Sequence, residues 1–141
     1  MKNITFAIII LLFVFLAGCA TSSSTVKFDD YSYLTKEICE EQISKNDDVI
    51  QQLIKAGDNQ SIEREIEHFI YFDTIEKKNA FCSEISNLGY RYEDMGGDIG
   101  VQIQKNSTAE RNKINAVVLE VCNISAKHEG SYDGWGCLVQ K

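Results

Sequence analysis

Glu65-Ile66-Glu67-His68-Phe69-Ile70-Tyr71-Phe72-Asp73-Thr74 is the stretch on which the fold turns. Ile66, His68, Ile70 and Phe72 fall on one side and Glu65, Glu67, Phe69 and Tyr71 on the other. That period-two spacing is the mark of a strand with one side buried. Asp73 or Thr74 can then cap a helix, because a short polar side chain satisfies backbone N–H groups that a helix start leaves unpaired. The helix carries Ala80, Phe81, Ile85 and Leu88, and Gly89 ends it.

Working toward the C-terminus, Tyr90 to Glu93 reads as a short strand and Gly96-Gly97-Asp98 as a turn. Ile99, Val101 and Ile103 then form one face of a strand, opposite Gln102 and Gln104. Asn106-Ser107-Thr108 is expected to cap a long helix with Ile114, Val117, Val118, Val121 and Ser125 on one side. Gly130 closes it, and Tyr132 to Gln140 reads as a last strand. Toward the N-terminus, Leu34, Ile38, Val49, Ile50, Leu53 and Ile54 recur near helical spacing between Tyr33 and Ala56, with Asn46-Asp47-Asp48 as a break or new cap. The order is β-α-β-β-α-β behind a leading helix. Two right-handed crossovers of this kind give an α+β, ferredoxin-like domain, a four-stranded antiparallel sheet with both helices on one face.

The first eighteen residues differ from the rest. Lys2 precedes an apolar run from Ile4 to Ala17, and Leu16-Ala17-Gly18-Cys19 follows the pattern of a bacterial lipobox. As a helix this run spans roughly 21 Å, short of the hydrocarbon core of about 30 Å. The segment therefore reads as a leader, residues 1–18, cleaved ahead of Cys19. The lipoprotein resemblance implies that Cys19 is acylated and that the chain is anchored to a membrane of the cell envelope by its acyl chains. More than one chain is enough for stable anchoring. Ala20, in the place where Asp favours retention in the inner membrane, points to the outer membrane of a Gram-negative source. Residues 19–32 form the acylated start and a tether rich in Ser and Thr, and residues 33–141 the folded domain.

The net charge of −7 becomes −8 once the leader, whose one charged residue is Lys2, is set aside. Such a surface repels phosphate backbones and attracts basic proteins. Nucleic-acid binding is disfavoured, and a protein partner is expected.

Several segments together resemble the regulator of ribonuclease E activity B (RraB) family. They are Leu53-Ile54-Lys55-Ala56-Gly57-Asp58, the strand Ile66 to Phe72, Leu88-Gly89-Tyr90, Gly97-Asp98-Ile99, and Glu129-Gly130-Ser131-Tyr132-Asp133-Gly134-Trp135-Gly136. The resemblance runs from about Asp47 to Lys141. It implies a ferredoxin-like fold and a non-enzymatic protein that binds and regulates another protein. The family's best-known member binds ribonuclease E and slows its RNA cleavage, whereas the leader would place this domain outside the cytoplasm.

No residue set suggests catalysis. His68 has no nucleophile or ligand partner at a recognisable spacing and reads as a core histidine, while His128 reads as a surface cation at a helix end. Glu65 and Glu67 could neighbour each other on one face, yet no sugar-binding cleft accompanies them. There is no Gly-x-Ser-x-Gly, phosphate loop, metal-ligand cluster or Cys-x-x-Cys, so no cofactor, metal or small-molecule substrate is expected. The sheet's helix-free side should carry Glu67, Phe69, Tyr71, Gln102 and Gln104, either as a partner-binding surface or under the leading helix. An RNA-recognition module would need a basic, aromatic central strand, and Asp98-Ile99-Gly100-Val101-Gln102-Ile103 is neither. Glu67, Phe69, Tyr71 and Trp135 are the candidate partner-binding residues. Cys39, Cys82, Cys122 and Cys137 remain beside Cys19; Cys122 with Cys137 is a candidate disulfide, and buried free thiols are the alternative.

Three functional readings follow. The first is an anchored binding module that regulates or inhibits a protein partner. The others are an immunity lipoprotein against a toxin, and a cytoplasmic regulator of ribonuclease E should the leader be misread.

Overall fold

A computed structural model describes residues 26–97 and 99–141; the leader, Cys19 and Asp98 of the expected turn lie outside the described residues. After a single 3-10 turn at Phe28–Asp30 come α1 (Lys36–Lys55), β1 (Arg64–Tyr71), α2 (Ile75–Asn87), β2 (Arg91–Asp94), β3 (Gly100–Ser107), α3 (Arg111–Lys127) and β4 (Ser131–Gly136). The strands form one antiparallel sheet in the order β2-β3-β1-β4. This is the ferredoxin-like α+β arrangement, with an added helix.

The central strand behaves as its alternation requires. Ile66, His68 and Ile70 are buried, and Glu65 and Tyr71 are exposed. Arg64, one residue before the expected strand start, joins the buried side. Thr74 caps α2, its Oγ1 accepting from the Lys77 N–H at 3.3 Å. Ile70, Val101 and Ile103 of the sheet pack with Phe81 and Ile85 of α2 and Val121 and Ile124 of α3. A second cluster joins Ile50 and Leu53 of α1 to Ile66, Ile114, Val118, Cys122 and Trp135. All three helices therefore lie on the same side of the sheet.

Helix α1 is unbroken. The expected break at Asn46-Asp47-Asp48 does not form, because Asn46 is fully buried and hydrogen-bonded to other elements from the helix interior. Thr35 caps its start, accepting from the Ile38 N–H at 3.3 Å. Gly57, at φ +80°, ends it, and the N–H groups of Gly57 and Asp58 close back on the carbonyls of Ile54 and Leu53 at 2.9 and 3.0 Å.

Two further boundaries differ from expectation. Asn106 and Ser107 do not cap α3: they pair with Glu65 and Arg64 as the end of β3, and Glu110 takes the capping position without a side-chain bond. The last strand ends at Gly136, not Gln140. Beyond it the chain is held by the Asp58–Arg64 pair, both side chains almost completely buried. Arg64 donates to the Leu138 carbonyl at 3.2 Å, the Gln140 N–H donates to Asp58 Oδ1 at 2.7 Å, and the Asn59 N–H donates to the Gln140 carbonyl at 2.7 Å. The segment before α1 crosses the outside of α3, with Asp30 and Tyr31 beside Ala116, Val117 and Glu120. There the Tyr33 N–H donates to Asn123 Oδ1 at 2.9 Å.

Candidate protein-binding face

Strand register decides what the helix-free side of the sheet displays. Glu65, Glu67, Phe69 and Tyr71 of β1 stand beside Asn106, Gln104, Gln102 and Gly100 of β3, and Arg91 and Glu93 of β2 stand beside Gln104 and Gln102. On the other flank Ser131, Gly134 and Gly136 of β4 lie opposite Tyr71, Phe69 and Glu67. No described helix covers this side, so the reading that placed the leading helix over it gives way: α1 packs on α3 and β4 from the opposite side.

The face is apolar at its centre and acidic around it. Phe69 is half-buried and Tyr71 is 40% exposed, enough for both rings to meet a partner. A Cβ on Gly100 would come within 3.2 Å of the Tyr71 ring, so glycine leaves the space in which that ring lies. Glu65 pairs with Arg91, and Glu93 accepts from Gln104 Nε2 at 3.3 Å. Gln104 is on this face as expected but is buried beneath its neighbours. The Glu67 carboxylate forms no hydrogen bond or ion pair with the described residues, and it lines a cleft of about 270 Å³ with Arg64, Glu65, Cys137, Leu138 and Gln140. The electrostatic balance of Glu65, Glu67, Glu93 and Arg91 favours a basic ligand.

Trp135 is absent from this face. It pairs with His68 on the helix-facing side and is only 8% exposed, so the expected role in a partner surface gives way to a core role. The cause is a bulge between Phe69 and Ile70, where Asp133 is the extra residue of β4. Tyr132 and Trp135, three apart, consequently both face inward. Their odd spacing was the available sign.

His68 is completely buried. Its Nδ1 shares a hydrogen bond of 3.0 Å with the Tyr132 hydroxyl, and Nε2 has no partner among the described residues. Burial lowers its pKa to about 4, so the ring is neutral near pH 7. Burial also raises the Tyr132 pKa, which keeps that hydroxyl protonated. His128 caps the end of α3, and its Nε2 lies 2.7 Å from Glu84 Oε2. Lys127 first and His128 second hold the Glu84 carboxyl below its usual range.

The sequence model of the family described as Regulator of ribonuclease activity B matches residues 43–137, well over half the chain and every strand of the sheet. The chain belongs to the RraB family. Among curated proteins none matches it. The RraB match begins inside α1, so the start of that helix and the segment crossing α3 lie ahead of it. It ends at Cys137, and the RraB domain contains all of Glu67, Phe69 and Tyr71. Cys122 and Cys137, the expected candidate bridge, are both free thiols, as are Cys39 and Cys82. No described group of His, Cys, Asp and Glu is arranged to hold a metal ion.

Proposed function

We propose that this RraB-family chain is a lipid-anchored envelope protein whose open sheet face binds and regulates a basic protein partner. The observation that carries the binding role is the uncovered face itself: Phe69 and Tyr71 beside the unpaired Glu67 carboxylate, with glycines along β4 leaving the rings accessible. Aromatic side chains bring large contact area at low entropic cost, and a surrounding acidic rim steers a cationic partner. The family's description as regulators of ribonuclease activity supports a regulatory, non-enzymatic role. The anchoring part of the reading is supported by the lipobox at Leu16 to Cys19 and the short apolar leader.

A second reading, a regulator of a ribonuclease, is favoured by the family match. Metabolic labelling with a fatty-acid probe, followed by partner capture on the intact and Phe69→Ala/Tyr71→Ala proteins, separates the two. Acylation at Cys19, with an envelope protein captured by the intact chain and lost in the double variant, is the expected result. An unacylated chain still starting at Met1 and retaining a ribonuclease would favour the second reading. Equal capture by the double variant would overturn the assignment of the face.

A further inference from the structure

Cys39 of α1 and Cys122 of α3 take no part in the open sheet face, yet both are buried, at 0% and 6% exposure. Their positions follow from how the two helices are tied. The helices run antiparallel: Tyr33, just ahead of α1, bonds Asn123, Asn46 Nδ2 donates to Asn115 Oδ1 at 2.9 Å, and Asp47 pairs with Arg111. Cys39 precedes Asn46 by seven residues, and Cys122 follows Asn115 by seven. Seven residues are close to two helical turns, so the step from Asn46 to Cys39 on one helix matches the step from Asn115 to Cys122 on the other. The seam that brings two amides into hydrogen bonding therefore carries the two cysteines at the same level, two turns further along.

Burial pushes the Cys122 thiol up to about 12 with Cys39 as the next contributor, while burial and then Glu40 raise Cys39. Cys137 instead feels Arg64, Asp58 and Glu67 at the far end of the sheet, and Cys82 feels Lys78 and Asp94.

We propose that Cys39 and Cys122 are a disulfide-forming pair that fastens α1 to α3. Two thiols lose two protons and two electrons as the S–S bond forms. The electrons pass to the disulfide of a thiol–disulfide oxidant, which leaves as two thiols. Because the thiolate is the attacking species and both thiols titrate high, the reaction runs while α1 is undocked, during folding or local opening. Oxidation in the cell additionally rests on the envelope placement proposed above, since reducing compartments keep such pairs as thiols. The pairing itself does not.

The test takes the full chain in detergent, refolds it with an oxidised/reduced glutathione mixture, blocks free thiols with maleimide and maps linked peptides by mass spectrometry without reduction. A peptide joining Cys39 to Cys122 is expected, together with a melting temperature higher on the order of 10 °C than after reduction. Cys39→Ser and Cys122→Ser should each abolish both signals, and Cys82→Ser should abolish neither. Maleimide on both Cys39 and Cys122 in the refolded wild-type chain, or a dominant Cys122–Cys137 peptide, would overturn the pairing, and neither readout depends on a variant folding. Protein that links after refolding but is extracted fully reduced from cells would count against the envelope placement and leave the pairing intact.

Discussion

The indole Nε1 of Trp135 donates a hydrogen bond of 3.0 Å to Asn46 Oδ1, tying the last strand to the middle of the first helix. Asn46 passes the connection on, its Nδ2 donating to Asn115 Oδ1 at 2.9 Å, while Gln42 Nε2 donates to the same Asn46 oxygen at 3.2 Å. One buried amide thus joins α1, α3 and β4. Polar networks of this kind contribute little while complete and cost much when broken, because each stranded group keeps its desolvation penalty.

Asn46→Leu should therefore destabilise the fold by about 2–4 kcal/mol, leaving the Trp135 N–H and the Asn115 amide unpaired. Urea unfolding followed by tryptophan fluorescence measures it, since Trp135 is the one indole in the chain. A change under about 0.5 kcal/mol would mean the network carries no stability.

The buried Asp58–Arg64 pair predicts a different kind of loss. Arg64→Met removes the partner of an almost fully buried carboxylate and should cost about 3–5 kcal/mol. It also removes the bond to the Leu138 carbonyl, so amide exchange at Gln140 should accelerate more than exchange in β3. Equal acceleration everywhere would show that the pair does not hold the C-terminal segment locally.

Helix α3 offers a gain of stability. Glu129 sits at φ +55°, the left-handed position after a helix where glycine is unstrained. Glu129→Gly loses an ion pair to Lys77, which still has Asp73, and exposed pairs are worth little. The net expectation is stabilisation by about 0.5–1 kcal/mol. Gly130→Ala should do the opposite, since its Cβ would stand 2.4 Å from the Phe72 ring. Thermal melts of the two variants check both signs.

His68 sets a pH window. Its folded pKa, lowered to about 4, lies below the unfolded value of 6.5, so the unfolded chain takes up the proton first as pH falls. Stability should be full above pH 6.5 and drop by about 3 kcal/mol toward pH 4. Carboxyls held low in the folded state, such as Glu84 beside Lys127, lose their contribution at still lower pH. Urea midpoints of His68→Leu should be much flatter than wild type between pH 6.5 and 4, and an unchanged slope would refute the assignment.

Glu67→Lys reverses the unpaired carboxylate on the open face without disturbing the core. It should weaken capture of a basic partner at least about tenfold at low salt, with the difference shrinking as salt screens it. Surface plasmon resonance at two ionic strengths measures this, and an effect independent of salt would point away from charge steering.

Strand order, helix side and the split of β1 into two faces were all legible in the alternation from Glu65 to Phe72 and in the stops at Gly57 and Gly89. The illegible parts are those where a distant partner overrides a local signal. Asn46-Asp47-Asp48 carries the composition of a break, but the Trp135 and Asn115 side chains satisfy Asn46 inside a continuous helix. Asn106-Ser107 carries the composition of a cap, but pairing with β1 draws both into the sheet. Trp135 has the composition of an exposed anchor, and a one-residue bulge turns it inward. Arg64 reads as a polar residue before the strand, and only the three-dimensional neighbourhood of Asp58 makes it core. For the candidate site, Glu67, Phe69 and Tyr71 were recoverable from periodicity because nothing packs over them.

The segment from Asp30 to Tyr33 lies against the outer surface of α3, behind the sheet as seen from Phe69 and Tyr71. An anchor attached ahead of Val26 would pull on the domain from its back. The helical layer would then lie nearer the point of attachment and the aromatic side of the sheet farther from it, so that the tether would leave the path of an approaching partner clear.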